Sequence, residues 1–362
     1  MDAADSPAPR ADRGLGARLG RTSIAAGFVL LALAAAHLLM VAVNAVDEEL
    51  SADFYARAQF VPARYHGELP PTEELARLRR KTPDPEGRAA VDAAIARYEA
   101  GRPALSMPPP SPFVAGVALG MCALGFVLLA LSRWTGDDTT QTVLGIFAGT
   151  FLWTGGVEYG LIMGSRWLGV AKNFGLLDGE VVGIYGEYVL LKHSWGFLVL
   201  LFAYLLFVES SHCPFFLWFR KYLPLMRKTL AHGRIDNYGP RVAFQYVTTV
   251  WTFYVVLLWA YDERVFGIHS WLTYGLFFGC LASSGYLMVR LWHIGTMGAA
   301  LRYAIGAVII LFSTFEIAAK WQLFQEPWLV LSPQNALVFF GGLAVGTVLV
   351  IQEYRRSRLA VA

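Results

Sequence analysis

The sequence predicts an all-α, polytopic membrane helix bundle of about eight transmembrane helices, with both termini cytoplasmic and one small helical outer-side loop domain. Three observations carry that expectation. Only 16% of the 362 residues are charged while 56% are hydrophobic, whereas soluble domains run at about 25% charged. Eight apolar runs are long enough to cross hydrocarbon about 30 Å thick, which takes roughly 20 helical residues. Lys and Arg gather in alternate connections, the asymmetry that orients membrane proteins.

The first run, 24–46, follows a basic tail, 1–23, with Arg10, Arg13, Arg18 and Arg21. Its apolar length exceeds the roughly 7–15 residues of a signal-peptide core, so it is expected to stay as an anchor. Segment 47–111 is then expected outside as a helical cap. "PPTEELARLRR" and "EGRAAVDAAIARYEA" have helical composition, and Thr72 with Glu73 and Glu74 makes a helix start. Its basic residues do not upset the orientation, since loops of about 60 residues translocate whatever their charge. The same cap is where a protein partner would dock.

Runs 113–131, 143–164, 185–208, 243–261, 269–292, 303–320 and 336–351 make a seven-helix bundle over 112–352. Its inner loop, 209–242, carries Arg220, Lys221, Arg227, Lys228, Arg234 and Arg241. Within that loop 215–230, "FFLWFRKYLPLMRKTL", is basic and amphipathic, suited to anionic lipid of an inner leaflet or to a plain connecting helix. The tail, 353–362, adds Arg355, Arg356 and Arg358. Eight crossings put all three basic stretches on one side, so the expected home is the plasma (inner) membrane with both ends inside. A net charge of +3 is too small to point to nucleic acid. Cys122, Cys213 and Cys280 form no CxxC pair and read as small packing residues.

A charge at mid-bilayer costs roughly 2.5–3.5 kcal/mol on insertion scales, so ionisable residues there are rare and partnered. On this threading His37, Glu158, Glu187, Lys192, His193, His269, Glu316 and Lys320 all fall in the outer half or at the outer interface. The inner half is almost purely apolar. Glu158, in "FLWTGGVEYGL", is flanked by Gly155, Gly156 and Gly160, which would let a helix or ligand come close. It reads either as a carboxylate ligand or proton carrier, or as a protonated side chain bonded to a helix neighbour. Glu316 and Lys320, in "FEIAAKW", share one helix face at i,i+4 spacing and either act chemically or pair with each other. That spacing superficially resembles the retinal-binding helix of microbial rhodopsins. Eight spans, a lysine at a helix end and no arginine-led counterion motif separate the chain from that family.

His-Ser-Trp stands twice, in "KHSWGF" and "IHSWLTY", each time at the start of an apolar run entered from the outer face. Trp195 and Trp271 suit an interfacial belt, and Ser can satisfy a free amide at a helix start. The histidines are left over. Neutral imidazole binds metals and haem iron, so His193, His269 and His37 are the candidate cofactor-binding residues. His193, His269 and Glu158 would form a metal site, and Glu158, Glu316 and Lys320 a catalytic set. The competing reading leaves the histidines as belt and capping residues.

Three functions fit this pattern. The favoured one is a membrane-embedded enzyme or redox subunit that binds a metal ion, haem or quinone-type group and acts on an apolar substrate. A proton- or ion-coupled transporter and a non-catalytic subunit of a membrane complex are the alternatives. No Walker loop, zincin motif, desaturase-like histidine cluster or Rossmann fingerprint is present, so nucleotide-driven chemistry is not expected. The threading makes a direct prediction. A reporter fused after Ala104 is external and one fused after Lys228 is internal; swapped labels reverse every assignment of side.

Overall fold

The computed structural model describes residues 14–50, 59–60, 75–76, 78–80, 82, 84–100, 111–168, 170–177, 180–185, 187–207, 237–262 and 265–359. The chain opens with α1 (Leu15–Leu50), 36 residues rich in Ala and Leu. After a two-residue strand β1 (Gln59–Phe60) and the cap helix α2 (Pro85–Glu99) comes α3 (Pro112–Ser132). Ser111 caps α3 and Pro112 occupies its first position, where a missing N–H costs nothing. Asp137 caps α4 (Asp138–Phe151) through the Thr140 amide at 2.7 Å. That helix does not stop. It passes through a π-helical stretch (Leu152–Glu158) into α5 (Tyr159–Trp167).

Two strands follow, β2 (Ala171–Leu177) and β3 (Glu180–Tyr185). Helices α6 (Glu187–His193) and α7 (Trp195–Phe207) are separated by a turn at Ser194. The second half of the bundle is α8 (Gly239–Tyr261), α9 (Trp271–Trp292) and α10 (Met297–Lys320). A 3₁₀ turn (Pro327–Leu329) and a short α11 (Pro333–Ala336) lead through a second π stretch (Leu337–Gly341) into α12 (Gly342–Leu359).

Among the described residues six helices are long and apolar enough to cross a membrane, which makes this a multi-pass integral membrane protein. Where described, the eight apolar runs lie largely on helix, although run 185–208 begins on the last residue of β3 and run 269–292 begins in the turn before α9. The two outside the six are interrupted: run 143–164 by the π stretch and run 185–208 by the turn at Ser194. The basic segment 215–230, Cys213 and much of the cap lie outside the described residues.

Side-chain contacts sort the helix ends into two groups. At one end Arg21 donates to the Ile294 carbonyl, Arg302 reaches Asp138 and Thr142, and Ser132 reaches Asn237. At the other, Arg166 meets Asp47, Lys192 meets Asp262, and the Trp321 indole donates to the Ile268 carbonyl. Successive long helices therefore alternate in direction.

The strands depart from an all-helical chain. They form one antiparallel sheet, in which β1 pairs with β2 (Phe60 opposite Gly175) and β2 with β3 (Leu177 opposite Glu180). The two residues between Leu177 and Glu180 in the sequence are Asp-Gly, the strongest short hairpin signal. The apolar-run reading passed over it. In the cap, Leu75 and Leu78 are buried, as are Val91 and Ala94 of α2, and Asp92 pairs with Arg79 at 2.5 Å. This matches the helical composition read in the sequence. Helix α2 packs against β3, so the sheet and the cap form one layer at the α5 and α6 ends.

The core is built from α1, α4, α8 and α10. Ala25, Phe28, Val29 and Ala32 of α1 pack with Leu301, Ala304, Ile305 and Val308 of α10. Water-driven burial counts for little in lipid, so small residues that let backbones approach do the packing. Gly145 and Gly149 supply this on α4, facing Val242 and Tyr246 of α8. Gly155 supplies it for α3: a Cβ there would run into the Ala118 carbonyl oxygen and the Met121 Cβ, whereas Gly160 faces open space. Gly155→Ala is therefore expected to destabilise the protein by about 1–3 kcal/mol. Gly160→Ala is expected to be neutral or slightly stabilising. Thermal unfolding in mild detergent measures both, and equal effects would discount the α3 contact.

Candidate functional site

The candidate site begins at the π stretch. A π turn carries one more residue per turn than its flanks and rotates the following side chains about the helix axis; such stretches recur at functional sites. Here it holds the Gly155–Gly156 pair and ends on Glu158, which is 7% exposed. The glycines do make room beside Glu158, but at Gly155 the space belongs to the α3 backbone. Next to Glu158, Tyr159 donates to Asn44 of α1 at 2.8 Å. One turn before it, the Thr154 hydroxyl is buried with no hydrogen-bond partner among the described residues.

Glu158 is close enough to exert an electrostatic influence on His37 of α1 and on Tyr246 and Tyr254 of α8. His37 is where the site becomes chemically specific. Its Nε2 stands 3.5 Å from Glu316 Oε1 of α10, with the two side chains 22% and 16% exposed. Its Nδ1 lies 2.9 Å from the Leu33 carbonyl oxygen, which can only accept. Nδ1 must therefore carry a hydrogen. Only one further proton can then lie between Nε2 and Glu316: on the imidazole, giving an ion pair, or on the carboxyl, giving a neutral pair. The two side chains together can therefore hold one shared proton.

Aromatic rings surround the pair. Phe312, one turn before Glu316, lies 5.1 Å from the His37 ring and 4.7 Å from Trp328. Trp328 sits in the 3₁₀ turn, folds back into the core, and donates its indole N–H to Glu326 at 3.0 Å. Trp153 contacts Tyr254 at 5.9 Å, and Tyr254 contacts Tyr188 at 6.0 Å.

The remaining sequence candidates scatter. Glu316 turns to His37 rather than to Lys320, which stands half-buried at the end of α10 within electrostatic reach of Glu326. His193 is exposed, with Nδ1 bonded to the Val189 carbonyl at 2.8 Å, and His269 is exposed in the turn before α9. Among the described residues no three His, Cys, Asp or Glu side chains are grouped to hold a metal ion, so His193, His269 and Glu158 are not brought together as one. The repeated triplet has two separate local explanations. Ser270 caps α9 through the Thr273 amide, and Trp271 is 79% exposed. Ser194 instead accepts the Trp251 indole N–H at 2.7 Å and donates to the Leu191 carbonyl, locking the turn between α6 and α7 onto α8.

Several residues of the site gave no usable signal in sequence. Lys192 read as an interface charge, yet it is buried, 2.7 Å from Asp262 and beneath Trp259. Arg166 and Asp47 form a buried bidentate pair joining α5 to α1. Glu187 begins α6. Tyr254, Tyr261, Glu326 and Trp328 were not singled out; an acid and a tryptophan two residues apart in a loop have no helical period to betray them.

Comparisons with protein-family models, with curated proteins and with solved structures found no match. The class that fold and site define is a multi-pass helical membrane protein with a half-buried imidazole–carboxylate pair.

Glu326 lies outside the membrane-spanning helices, and burial pushes its carboxyl above the ordinary value of 4.5. Glu316 adds to that shift, while Lys320, the Trp328 N–H and His37 oppose it. A raised folded-state value means the ionised form is disfavoured on folding. The cost is absent below 4.5 and develops as pH rises through the folded value. Glu326→Gln, which keeps an acceptor for Trp328, is thus expected to match the parent's melting temperature at acid pH and exceed it at alkaline pH. A difference independent of pH would remove ionisation as the cause.

Proposed function

We propose that this chain is a membrane-embedded redox subunit or enzyme whose own contribution is proton transfer at His37 and Glu316, acting on an apolar, quinone-type substrate. The observation that carries the reading is the approach of His37 Nε2 to Glu316 at 3.5 Å while Nδ1 is committed to the Leu33 carbonyl. A quinol hydroxyl loses a proton as its electrons leave for a redox partner, and a buried base poised between two protonation states is what accepts it. Glu158 is the second proton-holding carboxylate, and Lys320 balances charge at the outer end. Aromatic faces at Phe312, Trp328 and Tyr254 suit a flat ring. Such a substrate would arrive sideways from the hydrocarbon.

The same proposal includes the finer threading. The π-interrupted α4–α5 rod and the α6–α7 pair complete eight crossings, both termini are cytoplasmic, and the site opens toward the outer face of the inner membrane. The alternation of helix ends supports this, as does the basic character of the inner connections.

One observation favours a second reading, a proton-coupled transporter. Thr142, Thr150, Thr154 and Glu158 recur on α4–α5 and are all buried, and Thr248 of α8 is buried with an unpartnered hydroxyl among the described residues. This polar line runs from the site toward the opposite end and is interrupted by Ile146 and Val242. A transporter would have to open that interruption.

Two measurements on the protein in lipid nanodiscs separate these readings. Infrared difference spectra between acid and alkaline pH are expected to show a carboxylic-acid C=O band that disappears in Glu316→Gln. Decylubiquinone is expected to quench tryptophan fluorescence saturably, with affinity about ten-fold weaker in Glu316→Gln, as for loss of one hydrogen bond to a charged group. An intact band without saturable quenching would favour the transporter. Absence of the band in the parent would sink the proton-store reading itself.

A further inference from the structure

A series of rings leads from the His37–Glu316 pair to the flank of the bundle, and exposure rises along it. Phe312 lies 5.1 Å from the His37 ring and Trp328 lies 4.7 Å from Phe312; both are buried. Phe324 follows at 6.2 Å from Trp328, and Phe315 at 6.5 Å from Phe324, and these two are 39% and 37% exposed. Phe315 belongs to α10, one residue before Glu316, so its exposed face turns toward hydrocarbon where α10 spans a membrane. The 3₁₀ turn that carries Trp328 packs against α1. The rings therefore run along the seam between α1 and α10, where the pair lies.

Phe324 sits at the tip of a strap that is held at both ends. At its start the Trp321 indole donates to the Ile268 carbonyl at 2.6 Å and stacks on Tyr274 at 4.7 Å, and Gln322, at φ 62°, turns the chain off α10. At its far end Trp328 donates to Glu326 at 3.0 Å, and Asn335 Nδ2 holds the carbonyls of Pro327 and Val330, each at 2.9 Å. Between these anchors the amides of Phe324, Gln325 and Glu326 make no backbone hydrogen bond among the described residues. A segment so lightly bonded opens locally at low cost. Phe324 meets its neighbours edge to face, at 80° to Phe315 and 71° to Trp328. Another flat ring in its place would find the same two faces.

Resting on the quinone-type substrate reading above, we infer that Phe324 is the lateral gate of the site. It closes, from the hydrocarbon side, the ring-lined path that ends at His37. When the tip swings away, the flat head of the substrate takes the space that Phe324 vacates and lodges against Trp328, with Phe312 next on the way to His37. Trp321 and Trp328 act as fixed posts and confine the motion to the tip between them. The occupant follows from what stands at the two ends of the path. Hydrocarbon meets Phe315, and an imidazole–carboxylate pair that can hydrogen-bond stands behind Phe312. Together they fit a molecule with an apolar tail and a planar head that carries polar oxygens.

The test is temperature-jump relaxation of tryptophan quenching, on the full-length protein in nanodiscs that already hold decylubiquinone, so that entry from water is not part of the rate. A ring that the substrate must displace opposes binding, so its removal speeds association and does not weaken affinity. Loss of a ring that merely lines the path does the reverse. Phe324→Ala is therefore expected to relax about five-fold faster or more, and to bind no more weakly than the parent, as when binding no longer waits on a conformational change. Leu323→Ala, in the same tip and more exposed, is expected to relax as the parent does. Trp328→Phe, which keeps a ring over Phe312, is expected to lose most of the saturable quenching, because the bound head lies against that indole. Phe324 is more than a third exposed, so its truncation spares the core and decides the matter even if Trp328→Phe loosens the strap. Parental relaxation or weaker binding in Phe324→Ala, or undiminished saturable quenching in Trp328→Phe, overturns the gate while leaving the substrate reading standing. A parent without saturable quenching overturns both.

Discussion

Ionisable groups in hydrocarbon must find their partners inside the chain, and that single constraint organises this structure. Among the described residues the pairs that meet it include Asp47 with Arg166, Lys192 with Asp262, and His37 with Glu316. Each joins two different helices, α1 to α5, α6 to α8, and α1 to α10. Breaking a buried pair leaves a bare charge and costs about 3–5 kcal/mol, while forming one gains little over apolar packing. Such pairs therefore act as register pins. They leave the helices few ways to slide against one another, and the small-residue contacts at Gly145, Gly149 and Gly155 can then close.

The three pairs differ in chemistry. Arg166 is permanently charged and forks onto both oxygens of Asp47. Lys192 is held under Trp259 and accepted by one Asp262 oxygen. His37 and Glu316 are the exception: an imidazole faces a carboxylate, and the distance between them is the longest of the three. Geometry that is slack, rather than bidentate, leaves the proton free to choose a side. The pair sits next to the π stretch that presents Glu158 and beneath a tryptophan folded in from the loop. On the proposed reading the same contact is both a structural pin and a proton store.

Much of the fold was legible in advance, because hydrocarbon allows a chain few solutions. A run of about 20 apolar residues has to be helical where it crosses lipid, since no water is present to take its backbone groups. Where described, the eight runs lie largely on helix, as do the cap segments 75–80 and 85–99. The small sheet was missed although Asp-Gly stood between two short apolar stretches, since "NFGLL" and "EVVGIY" are too short to register as spans. At the site, Glu158 and Glu316 were singled out by the rarity of charge in an apolar run, and His37 with them. Their assignment to roles fared less well. The spacing of Glu316 and Lys320 on one helix suggested a pair, whereas the nearer partner lay across the interface on α1.

The sequence alone determined what lipid demands of any chain: which segments are helical and apolar, where the basic connections lie, and which ionisable residues are confined with them. Tertiary structure decided who meets whom. His37 and Glu316 are separated by most of the chain, and no local period relates them; they meet because small residues let α1 and α10 pack closely. The two His-Ser-Trp triplets make the converse point. Identical in sequence, one caps a helix and the other ties a turn to a tryptophan on α8, because a hydroxyl bonds to whatever group packing brings within 3 Å or so. Local sequence sets the chemistry a residue can offer, and only the packed bundle sets the partner that accepts it.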